Sequence, residues 1–88
     1  MRLDLFLKAS RLCLRRTVAQ KLCEAGLVSL NGSRVKPAHD VKVGDEIVIR
    51  RRDKITTVRV VSLPQRNQVS KDEARGLYEQ LSEQVVDI

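Results

Sequence analysis

At Gly26 the apolar spacing of this chain changes period, and that change sets what it can fold into. In TVAQKLCEAG, residues 17–26, Val18, Ala19, Leu22 and Cys23 recur at helical spacing. Thr17 with Gln20 makes a capping-box pair, and Gly26 stands where a left-handed residue closes a helix. Beyond Gly26, Val28 and Leu30 alternate around Ser29, and Asn31-Gly32 follows. Both positions of a two-residue hairpin turn need positive φ, which Asn-Gly supplies. A helix that passes directly into a hairpin makes the chain α+β.

The flanking segments fill in the architecture. In RLDLFLKAS, residues 2–10, Leu3, Phe6 and Leu7 lie on one helical face, with Asp4 in the first turn. After the hairpin, Pro37 stops the return arm, and Gly44-Asp45 marks a turn. Residues 46–51 and 54–63 read as a longer strand pair, with Ile47 and Ile49 on one face and Val58 and Val60 on one side of the second strand. In residues 70–84, Ser70 with Glu73 repeats the capping box, and Ala74, Leu77, Tyr78 and Leu81 predict a C-terminal helix. Two short N-terminal helices are therefore expected on a small, mainly antiparallel, twisted sheet, followed by that helix. The domain is expected over residues 1–63, with a linker and helical tail over 64–88.

Charge placement narrows the function. The chain has 88 residues with 17 basic and 11 acidic side chains, a formal charge of +6, which favours a polyanionic partner. Arg2, Lys8, Arg11, Arg15, Arg16 and Lys21 crowd the first 21 residues, with Asp4 as the one acidic interruption. Arg11 and Arg15 would be neighbours if their segment were helical. A helix start at Thr17 beside Arg15 and Arg16 forms a phosphate site, since amide hydrogens and planar guanidinium forks both grip phosphate oxygens. Arg34 and Lys36, just past the turn, extend this surface or are simply solvated. Arg50, Arg51, Arg52, Lys54 and Arg59 read as charges that guard strand edges. Two aromatics, Phe6 and Tyr78, are too few for a platform that stacks single-stranded bases. Cys13 and Cys23 read as small buried hydrophobes, and His39 stands alone. No glycine-rich phosphate loop, zinc set or catalytic constellation is recognisable, so no enzyme activity, cofactor or metal is expected. No segment has the pattern of a signal peptide or a membrane span, so a cytoplasmic protein is expected.

RLDLFL, SRLCLRRT, AGLVSLNG, VKPAHDV and VGDEI, in this order, resemble the RNA-binding domain first described in ribosomal small-subunit protein four. The resemblance covers roughly residues 1–50, and the following strands more loosely. It implies RNA contacts at Arg2, Lys8, Arg11, Arg15, Arg16, Thr17 and Lys21, with Asn31, Arg34 and Lys36 from the hairpin beside them. Leu5 stands where close relatives often carry a basic residue. The chain is most similar to the stand-alone members, a group that includes ribosome quality-control factors of the RqcP type and the heat-shock proteins of about fifteen kilodaltons. That branch implies a monomer associated with the ribosome. Its partners would be large-subunit ribosomal RNA, peptidyl transfer RNA on obstructed subunits and a second quality-control factor, and it would support C-terminal alanine tailing of stalled chains. Two other readings stay open from the residues: an RNA-targeting module of a modification enzyme, and a protein-binding adaptor. Met1 directly before the motif favours a complete small protein.

Overall fold

The structure, a computed structural model, describes residues 1–66 and 68–86. Asn67 of the expected linker, and Asp87 and Ile88 of the expected tail, lie outside the described residues.

The first helix, α1 (Leu3–Ala9), buries Leu3, Phe6 and Leu7, the face set by their spacing. A loop rather than a side-chain cap holds its start. Leu3 N–H donates to the His39 carbonyl (2.8 Å) and Asp4 N–H to the Pro37 carbonyl (3.0 Å). Leu5 N–H donates to the Asp4 carboxylate (2.8 Å). The second helix, α2 (Arg16–Glu24), buries Ala19 and Cys23. Val18, expected on the same stripe, remains 45% exposed. The helix ends as its sequence predicts: Gly26 has φ +76°, its N–H meets the Cys23 carbonyl, and Leu27 N–H meets the Leu22 carbonyl. This is a Schellman motif, and glycine enters its left-handed position without the Cβ clash.

β1 (Val28–Leu30) and β2 (Ser33–Arg34) form the predicted hairpin, with φ of 51° at Asn31 and 86° at Gly32. β3 (Glu46–Arg50) and β4 (Lys54–Val60) follow, then a short α3 (Lys71–Arg75) and β5 (Tyr78–Val85). The five strands are antiparallel in the order β2-β1-β3-β4-β5. Val28, Leu30, Ile47, Ile49, Val58 and Val60 point to one face and join Leu3, Phe6, Leu7, Ala19 and Cys23 in a single core. The α+β architecture, with two N-terminal helices on an antiparallel sheet, is the one expected.

The C-terminal helix is present but much shorter than residues 70–84. Ser70 caps it as predicted, accepting from Glu73 N–H at 3.1 Å. It stops at Gly76 after five residues, and the remainder of the expected helix pairs along β4 from Val60↔Tyr78 to Lys54↔Val85. Without this partner the backbone groups along one side of β4 would lack sheet partners, and satisfying them outweighs a weak helical preference. The added strand also corrects the reading of the basic group. β3 and β4 are interior strands, so their charges do not guard an edge. Lys54 instead pairs with Glu83 at 3.3 Å and Arg59 lies 4.0 Å from Glu46. Arg51 donates to the Leu12 carbonyl and fastens the β3–β4 turn to the segment between the first two helices.

Both cysteines are buried, as expected. Burial raises the Cys13 thiol, with Arg51 opposing part of the rise. Burial pushes Cys23 up to about 11, with Cys13, Asp4 and Glu24 adding to it.

Candidate nucleic-acid interface

Asp4 organises the face where α1 meets α2. Its carboxylate is fully buried, yet five N–H donors converge on it. Arg2 donates through Nε and Nη2, each at 3.1 Å, Arg16 through Nε at 3.1 Å, and Gln20 through Nε2 at 3.0 Å. Burial by itself raises the carboxyl pKa. Hydrogen bonds from Gln20, Arg2 and Arg16, with the charge of Arg16, outweigh burial and hold it below the ordinary 3.8. Asp4 therefore stays ionised and fixes two guanidinium groups, one from the residue preceding α1 and one from the first turn of α2. Arg2 and Arg16 remain 44% and 42% exposed. Each keeps further N–H groups for an outside acceptor, since a guanidinium carries five.

The start of α2 supplies the complementary part. Arg15 is its N-cap, no side chain caps it, and the amides of Arg16, Thr17 and Val18 have no acceptor within the helix. The corresponding amides of α1 are all taken, as described above. Of the two N-terminal helices, only α2 thus offers amides and an unneutralised positive dipole end. Thr17 is not the cap that its sequence suggests. The cap is Arg15, two residues earlier, and Gln20, the expected capping partner, bonds Asp4 instead. Thr17 lies in the first turn, exposed, between Arg16 and Val18. Arg15 and Lys21 are exposed on the same helix.

The other candidates are placed differently. Lys8 and Arg11 flank the end of α1, where the chain leaves the helix at Ser10, so Arg11 and Arg15 are not helical neighbours. Arg11 adopts φ 63°, and its Nη2 donates to the Val69 carbonyl at 3.3 Å. The Asn31 side chain is engaged internally: it donates to Asp45 (3.0 Å) and accepts from Glu46 N–H (2.9 Å), locking the hairpin turn to the Gly44-Asp45 turn. Arg34 donates to the Glu24 carbonyl at 2.7 Å, closing the C-terminal end of α2. Lys36 is exposed, and with Arg34 it borders a cleft containing Cys23, Glu24 and Pro37. Arg2 and Arg16 thus meet at Asp4, with Arg15 and Thr17 on either side of Arg16 in the chain at the start of α2, while Arg34 belongs to the far end of α2.

Sequence reasoning placed Asp4 as a helix-start residue and missed its central position. The signal was present: Arg16 and Gln20 are four apart and share one face of α2, and that face needed an anionic partner. Arg51 carried no such signal, because its acceptor is a backbone carbonyl distant in sequence. Among the described residues no group of three or more side chains could hold a metal ion, and no helix is long and apolar enough to cross a membrane.

A family model, the S4 domain, matches residues 1–47. The chain is 45% identical over 86 residues to the RQC P-site tRNA stabilizing factor of Halalkalibacterium halodurans, covering 98% of this chain and 96% of that protein. It is 44% identical over 84 residues to the protein of that name from Bacillus subtilis, covering 96% and 95%. The trimeric structure of Vibrio cholerae Heat Shock Protein 15 superposes with a TM-score of 0.82 at 31% identity, over 93% of this chain and 82% of that one.

Proposed function

The chain belongs to the S4 domain family, and we propose that it is a non-catalytic, ribosome-associated RNA-binding protein that holds structured RNA against the α1–α2 face. The observation that carries this is the arginine pair fixed by Asp4 beside the uncapped start of α2. Phosphate is the ligand this arrangement suits. Two guanidinium groups are held in place before binding, so little side-chain freedom is lost on contact. Backbone amides at the helix start add donors that no side-chain substitution removes. Recognition then follows phosphate spacing and RNA shape, because side chains reach bases poorly in the deep groove of duplex RNA.

On the large ribosomal subunit, the protein would contact ribosomal RNA and peptidyl transfer RNA in obstructed particles. It would steady the transfer RNA in the P site while a partner factor adds C-terminal alanines. The support for this finer reading is similarity over nearly the full chain to proteins named as P-site transfer RNA stabilising factors. Lys8, Arg11, Lys21, Asn31, Arg34 and Lys36 would extend the contact around the central cluster.

Co-sedimentation with purified large subunits tests the reading. The Arg15→Ala/Arg16→Ala protein should remain folded by circular dichroism and lose most of its subunit association. A folded double variant that co-sediments as the wild type does would overturn it.

A further inference from the structure

Beyond the phosphate-binding cluster, a cleft of about 310 Å³ opens between the end of α1 and the segment leading into α3, lined by Lys8, Ala9, Arg11, Leu14, Gln68 and Val69. We propose that this cleft receives one unpaired nucleotide of the bound RNA, its base against Leu14 and Val69 and its phosphate against Lys8 and Arg11. The proposal rests on the RNA-binding reading and adds to it a site for a single extruded nucleotide.

Leu14 is 82% exposed, although it follows Cys13, which is 3% exposed. The segment that presents it is fixed at several points. Arg51 bonds the Leu12 carbonyl, Cys13 N–H donates to the Leu7 carbonyl, and Arg11 reaches the Val69 carbonyl. With residues 11–13 anchored in this way, little backbone entropy is lost when a partner covers the exposed Leu14 side chain. Its surroundings define that partner. Isolated exposed leucines are ordinary, but this one forms a wall of a concave site that also carries two cations. Apolar walls with cations beside them match a base joined to a phosphate, and fit neither a purely ionic nor a purely apolar ligand. Arg11 occupies the left-handed region at φ 63°, a conformation that strains a non-glycine residue. The bond to the Val69 carbonyl keeps its guanidinium on the cleft. An unpaired nucleotide is also the least costly to extrude, having no pairing to break.

Fluorescence anisotropy with two RNAs of equal length tests the site, one a perfect duplex and the other carrying a single bulged nucleotide. The wild-type protein should bind the bulged RNA about tenfold more tightly, the size expected when water is removed from much of one leucine side chain. Leu14→Ala should abolish that preference while leaving duplex affinity and the salt dependence unchanged, because it removes no charge. Leu14→Phe, which offers the base a flat face, should restore it. Arg15→Ala/Arg16→Ala should weaken both RNAs and flatten the salt dependence while keeping the preference. Equal wild-type binding of the two RNAs, or a preference that survives in Leu14→Ala, would overturn the nucleotide site and leave the RNA-binding reading standing. Millimolar free nucleoside monophosphate, which carries the same base and phosphate, should compete for the cleft and reduce the preference. Wild-type protein that binds neither RNA at low salt would overturn both.

Discussion

Replacing Asp4 with asparagine should destabilise the fold more than removing either arginine that it holds. The wild-type carboxylate is fully buried and accepts five hydrogen bonds. An asparagine keeps one oxygen and turns an NH2 group toward guanidinium donors that need an acceptor. A hydrogen bond to a charged group contributes about 1.5–3 kcal/mol net. Arg2 and Arg16 are each more than two-fifths exposed and recover hydration when released, so their ion pairs are discounted heavily. A loss of roughly 2–3 kcal/mol remains, dominated by the Leu5 N–H and Gln20 bonds to a fully buried acceptor. For a domain of this length that corresponds to a melting temperature lower by about 10–20 °C. Arg2→Ala and Arg16→Ala each leave the carboxylate with other donors and should lose only about 1 kcal/mol. Thermal melts followed by circular dichroism at pH 7 compare the three. The acid limb gives a second readout. Because the folded carboxyl titrates below 3.8, its unfolded value, the unfolded state binds more protons between the two values. Asp4 therefore contributes its full stabilisation well above pH 3.8 and loses it as pH falls through the folded value. Asp4→Asn should flatten that part of the wild-type acid profile. A variant melting within about 3 °C of wild type, with the acid limb unchanged, would refute the role given to Asp4.

Gly26→Ala should destabilise by about 2 kcal/mol and Gly32→Ala by about 1 kcal/mol in chemical denaturation, because both sit at positive φ. The ordering arises because only the first would bring a Cβ against another side chain, 3.1 Å from Arg34 Cζ, and disturb the bond to the Glu24 carbonyl. Cys13 and Cys23 should resist a thiol-reactive dye at pH 8 in the folded protein and react at once in denaturant, since both are buried with raised pKa values. RNA affinity should fall linearly with salt on logarithmic axes, with Arg15→Ala and Lys21→Ala each reducing the slope by about 1 if each meets one phosphate.

The sequence made the N-terminal half legible because its signals are local. The spacing of Leu3, Phe6 and Leu7, the close at Gly26 and the Asn31-Gly32 turn each fix conformation within a few residues, and the structure keeps all of them. The C-terminal segment was misread because its outcome is tertiary. Residues 78–85 carry a tolerable helical pattern, and only the adjacent backbone of β4 makes extension preferable. The basic surface was legible as composition and position, but its geometry was not. Asp4 joining Arg2 to Arg16, and Arg51 pinning the segment that presents Leu14, are contacts between elements far apart in sequence. Arg34 shows the converse: a basic residue near the expected surface whose guanidinium is engaged by a helix end.

The most direct test of the α1–α2 face as the RNA contact is an amide-resolved nuclear magnetic resonance titration of the labelled protein with transfer RNA. Shifts and broadening should concentrate at Arg2, at Lys8 through Leu14 and at Arg15 through Lys21, leaving β5 unperturbed. Perturbations confined to β5 and α3, with the start of α2 unchanged, would contradict that assignment.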